Sequence, residues 1–148
     1  MVVARSDPPI VRALTAGGLY FLIAFAAGFV FGAIRELAVT PRMTSDLAIV
    51  LEAPVMAVVV WFAAGFSVRQ LDVPRSFAFR LPMGVLALGL MLGAEDILTR
   101  VMRGGSLLDH WATFGLLATG TILASLFWFT LAPVLIKASS PSQAQPHV

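Results

Sequence analysis

Apolar residues come in long blocks along this chain, and short polar stretches separate the blocks. The blocks read "ALTAGGLYFLIAFAAGFVFGAI" over 13–34, "LAIVLEAPVMAVVVWFAAGFSV" over 47–68, "LPMGVLALGLMLGAEDIL" over 81–98 and "WATFGLLATGTILASLFWFTLAPVLI" over 111–136. A helix needs about 20 mostly apolar residues to cross the hydrocarbon layer of a bilayer. Each block reaches or approaches that length; the third is the shortest and carries Glu95 and Asp96 near its end. Barrel strands are short and alternate polar with apolar, whereas these runs are apolar on all sides. The pattern therefore predicts an all-α membrane protein, an antiparallel bundle of four transmembrane helices over 11–137. A flexible lead of residues 1–10 precedes it, and the Pro/Ser-rich stretch 138–148 is expected to be disordered. Arg5, Arg12 and the "AFA" at 24–26 imitate a secretory signal, but the apolar run continues past them to Ile34, which argues for a retained helix.

Prolines punctuate the blocks. Pro82 is expected in the first turn of its helix, where a missing N–H costs nothing. Pro54 and Pro133 fall inside theirs and should bend or loosen them.

Composition removes most other classes. Of 148 residues, 59% are hydrophobic and 12% charged, with a mean hydropathy of +0.91. A soluble domain has about 25% charged residues, and one this small keeps too much surface to hide so much apolar area. The net charge is +2, nine of the ten basic residues are arginines, and they are scattered, so no nucleic-acid footprint is present. The absence of cysteine excludes disulfides, thiolate metal sites and a cysteine nucleophile.

Threading the chain through a membrane sorts its charges. One end of the bundle receives Arg5, Arg12, Arg69, Arg75, Arg80 and Lys137, and the other Arg35, Arg42, Arg100 and Arg103. The excess of positive charge at the first end predicts that both termini face the cytoplasm, as multi-pass topology in a cell inner membrane would have it. The acids sort the other way. Only Asp7 and Asp72 lie at the terminal end, while Glu36, Asp46, Glu52, Glu95, Asp96 and Asp109 gather at the opposite one, with His110. Residues scattered in sequence thus become a polar collar, and its candidate buried site is Arg35, Glu36, Arg42, Glu52, Glu95, Asp96, Arg100 and His110. Glu52 lies roughly 9 Å below the start of its helix, at 1.5 Å per residue. It has no ionic partner three or four residues away, so it must be protonated, hydrated or paired with another helix, and Arg35 and Arg42 are the expected partners. Asp96 and Arg100 are spaced to pair on one helix. Arg80, with most other arginines, is expected at headgroups. Trp111 and the "FWF" at 127–129 suit the membrane interface, while Trp61 lies deep enough to pack.

No reaction signature emerges. Dinuclear metal sites in helical bundles use Glu-x-x-His pairs, and none occurs. The only histidines are His110 and His147, too few for bis-histidine haem. No nucleophile elbow, P-loop or dinucleotide fingerprint is present. Neither cofactor nor metal is expected. Two GxxxG motifs, Gly28/Gly32 and Gly89/Gly93, permit close helix contact, within the bundle or in self-association or contact with other membrane subunits.

The strings "GAIRELAVTPR", "VLEAPVMAVVVWFAAGFSVRQLDVP" and "RLPMGVLALGLMLGAED", spanning Gly17 to Arg103, resemble a group of small four-helix bacterial inner-membrane proteins. The resemblance implies that location and no activity. Three readings follow. A non-catalytic component, accessory subunit or homo-oligomer, is favoured by small size and thin loops. A proton-coupled transporter would use Glu52 with Arg35 or Arg42. A membrane-embedded enzyme acting on a lipid or isoprenoid-like substrate would use Glu52 and Glu95 as acid and base, and requires a deep cavity lined by both and by at least one arginine.

Overall fold

A computed structural model describes residues 7–39 and 41–137. Most of the expected lead and the whole of the tail lie outside the described residues. Five α-helices follow one another: α1 Pro9–Ile34, α2 Ser45–Gln70, α3 Phe77–Arg103, α4 Leu107–Trp111 and α5 Leu116–Leu135. A π-helical turn, Arg35–Val39, extends α1. Four helices are long and apolar enough to cross a membrane, and no strand is present among the described residues. The protein is an all-α, multi-pass membrane bundle. Each long helix packs on two others, α1 and α5 both on α2 and α3, so that the four close a ring.

Local chemistry sets the helix ends. Pro9 opens α1, where its lost N–H has no helical partner. The Thr44, Ser76 and Ser106 side chains accept from the first backbone N–H groups of α2, α3 and α4. Gly104 ends α3 in the left-handed conformation, φ 76°.

Three expectations are corrected here. The block at 111–136 is not one helix: the chain turns between Trp111 and Leu116, and Ser106 with Asp109 forms a capping box for a separate short helix. Pro82 is the sixth residue of α3, because helix formation begins at the Ser76 cap, and it deprives the Ala78 carbonyl of its helical donor. Trp128 and Phe129 turn into the bundle instead of anchoring at the interface.

The two ends of the bundle differ in packing. At the terminal end small residues let the helices meet: Ala13, Ala16, Ala64, Ala87 and Ala132 are buried around Tyr20, Val68, Met83 and Phe129. A methyl group on Gly17 would stand 2.8 Å from the Met83 carbonyl oxygen, and one on Gly84 would overlap the Thr130 carbonyl. Close approach is thus made by Gly17 and Gly84. A methyl group on Gly89 or Gly93 would meet nothing within 4 Å among the described residues, so neither makes a close helix contact there.

Two polar side chains lock this tight half. Pro133 cannot donate to the Phe129 carbonyl one turn back. The Tyr20 hydroxyl donates to that oxygen at 2.8 Å, and its ring stacks on Phe129 with centroids 4.5 Å apart. Arg80, expected at headgroups, is 1% exposed. Its guanidinium donates to the carbonyls of Pro133 and Ile136, at the frayed end of α5, and to those of Val73 and Pro74 in the α2–α3 loop. A cation that caps a helix C-terminus meets its unpaired carbonyls and its dipole together.

Candidate functional site

Beyond Tyr20 and Phe129 the helices separate, and a cavity of about 860 Å³ fills the collar half of the bundle. All four long helices line it. Its floor is Ala24, Val60, Met91, Trp128 and Phe129. Trp128 is held there by stacking on Trp61 at 5.7 Å and by donating to the Ala57 carbonyl at 3.1 Å. The rim carries His110 and Trp111 of α4 and Phe114 of the following turn.

The polar groups form a band across the apolar walls. Arg35, at the first position of the π-helical turn, donates to Glu52 of α2 at 2.8 Å. The pair is mostly buried, with side chains 29% and 17% exposed, so each charge compensates the other in a poorly solvated place. Arg103 pairs with Glu36 at 2.9 Å across α3 and the end of α1. That pair is about half exposed and contributes little to stability. Glu95 of α3 lines the same cavity. Among the described residues it has no hydrogen-bond or ion-pair partner, and the charges that act on it are those of Arg35 and Glu52.

The other collar residues serve structure. Arg42, expected beside Glu52, donates to the Ala38 carbonyl four residues back and does not line the cavity. The turn around Pro41 aims it along its own helix end, and Arg35 is the one ion-pair partner of Glu52 among the described residues. Asp96 pairs with Arg100 at 2.7 Å and accepts from the Leu107 backbone N–H at 2.9 Å, tying the start of α4 to α3. Asp46 accepts from the Gly115 backbone N–H at 2.9 Å, which fixes the start of α5 against α2. Neither Asp96 nor Arg100 lines the cavity.

Two groups on α4 titrate away from their ordinary values. Hydrogen bonds from Ser106 hold the Asp109 carboxyl below the usual carboxylate range. Burial, with help from the Arg103 charge, pushes His110 below its usual 6.5. His110 is therefore neutral at pH 7, and its ring meets Phe114 edge-on at 4.8 Å.

A second, smaller depression of about 270 Å³ lies between α1 and α2, among Phe31, Ile34, Met43, Leu51 and Val55. Arg35 and Glu52 line both this depression and the large cavity. The depression and the cavity share the ion pair as a common border.

Sequence reasoning located Glu52, Arg35, Glu95, Glu36 and His110 at one end, and the structure brings all five to one cavity. It missed Tyr20, Trp128 and the role of Arg80. Pro133 carried a signal that some donor must reach the Phe129 carbonyl; nothing in the sequence said which.

Fold and site together define a multi-pass, four-span membrane protein with a large, apolar, carboxylate-bearing cavity in one half. No protein-family model, curated protein or solved structure matches the chain.

Proposed function

We propose that this protein binds an amphiphilic molecule drawn from the bilayer, holding its apolar body between the splayed helices and its polar head at the Arg35–Glu52–Glu95 band. The observation that carries the reading is the cavity itself. Its volume lies within the range of small-molecule sites, and its few polar groups converge on mostly apolar walls. The depression between α1 and α2 supports entry from the membrane, with the Arg35–Glu52 pair at the threshold. A cavity lined by Glu52, Glu95 and an arginine is the feature that the enzyme reading required, and it weighs against a purely architectural subunit. Glu95, lacking an ionic partner among the described residues, is the group suited to exchange a proton. A proton-coupled carrier and an acid–base enzyme would both need such a group.

The same reading places the protein in a bacterial inner membrane with both termini in the cytoplasm. The resemblance of residues 17–103 and the arginine-rich terminal end support this.

Native mass spectrometry of the protein released from mild detergent tests the proposal. The expected result is a retained amphiphile adduct in the wild type that Ala57→Phe, which places a ring inside the cavity, weakens or removes. An adduct unchanged in Ala57→Phe, or a stoichiometric complex with other membrane subunits and an empty cavity, would overturn it.

A further inference from the structure

The charge balance of the cavity carries a statement about the ligand's chemistry. Five ionisable side chains line it: Arg35 and Arg103 against Glu36, Glu52 and Glu95. His110 adds no charge at pH 7, because burial and Arg103 hold it neutral. Both guanidiniums are already engaged, Arg35 with Glu52 and Arg103 with Glu36. An anionic head would find no free cation among the described residues of the cavity, and the one charge Glu95 can carry repels it. A neutral head would leave Glu95 as it is. A cationic head would pair with Glu95 as a carboxylate and let it release its proton, in a place where an unpaired carboxylate is costly.

The walls favour the same partner. Phe25, Phe29, Trp111, Phe114, Trp128 and Phe129 all line the cavity. Aromatic faces attract a cation through their quadrupoles, and the attraction strengthens where water is scarce. Such walls also accept bulky apolar substituents. A carboxylate among aromatic rings is a receptor for a cation that carries its own apolar coat, because that cation has little hydration to lose.

We infer that the cavity selects lipophilic cations, such as quaternary ammonium or phosphonium amphiphiles and hydrophobic amines, with Glu95 as the residue that meets the charge. The inference rests on the ligand-binding reading above and specifies the ligand class.

The three tryptophans make it measurable, since Trp111 and Trp128 line the cavity and Trp61 stacks on Trp128. The purified protein in lipid nanodiscs is titrated with tetraphenylphosphonium, with tetraphenylborate, which has the same shape and opposite charge, and with neutral triphenylphosphine oxide. Tryptophan quenching is read against probe concentration in the lipid phase. The expected result is saturable quenching by the cation at a concentration at least about tenfold below either other probe, the factor of about 1.4 kcal/mol. Glu95→Gln should remove that preference while leaving the neutral probe's binding in place, and Glu95→Asp should retain it. Saturable binding of the anion or the neutral probe as tight as that of the cation overturns the inference and leaves the ligand-binding reading standing. Full cation preference in a folded Glu95→Gln also overturns it. Failure of all three probes to saturate removes the ligand-binding reading itself. The ranking of the three probes on the wild type needs no variant, so a misfolded Glu95→Gln does not shield the inference.

Discussion

At the scale of single residues, Pro133 and Tyr20 form a unit although 113 positions separate them in the sequence. The proline strips one carbonyl of its donor within the membrane, and the phenol supplies another. A backbone oxygen without a donor in hydrocarbon is costly, although measured interhelical hydrogen bonds in membranes are modest. Tyr20→Phe is expected to destabilise the protein by about 1 kcal/mol. In a Pro133→Ala background residue 133 regains its N–H, so the same substitution should cost distinctly less. Unfolding in mixed micelles by denaturing detergent measures all four proteins of the cycle. Equal costs in both backgrounds would show that the hydroxyl does not serve the carbonyl that Pro133 orphans. Sequence reading could see the deficit, because a proline inside a helix always creates one. It could not see the remedy, because the partner is chosen by how α1 lies against α5.

At the scale of helices, spacing between small residues predicted close approach but gave the wrong positions for it. GxxxG drew attention to Gly89 and Gly93, which face open space, whereas Gly84, five residues earlier on α3, has the Thr130 backbone against it. The motif records that a helix face is narrow; which face meets a neighbour depends on the rotation of the helix in the ring. Gly84→Ala should force α3 away from α5 and cost about 2 kcal/mol, as overpacking of a tight contact does. Gly89→Ala should cost nothing and should add up to about 1 kcal/mol, since nothing is touched and alanine is the better helix former. The same unfolding measurement checks both, and equal losses at the two positions would contradict the packing described. The fourth block teaches a related lesson. Hydropathy ran smoothly from Trp111 to Ile136, but the Ser106–Asp109 capping box starts a helix earlier, and the Asp46 carboxylate, seated on the Gly115 N–H, marks where the next begins.

At the scale of the whole molecule, the bundle is tight where the termini lie and open where the collar lies. Alanine and glycine at the contacts close one half. Paired charges and aromatic rings line the cavity of the other. The orientation proposed for it has a direct test, because the natural chain has no cysteine. Leu108 lies on α4 at the collar end and is 73% exposed, so Leu108→Cys should react with a membrane-impermeant maleimide added to intact cells with only the outer barrier opened. Labelling that appears only after the inner membrane is broken would invert the topology. The sequence by itself determined four spans, their antiparallel threading and the gathering of carboxylates at one end. Those follow from hydropathy along a single chain and from the fixed thickness of a bilayer. The tertiary structure alone decided which arginine answers Glu52, that Glu95 has no ion-pair partner among the described residues, and that both glutamates line one cavity. These depend on the rotation and splay of each helix, which are set by contacts between residues far apart in the chain and leave no mark on local periodicity. The stretch "GAIRELAVTPR" shows the division well: it announced charge at a membrane boundary, but only the packing of α1 on α2 turned Arg35 inward and left Arg42 outside.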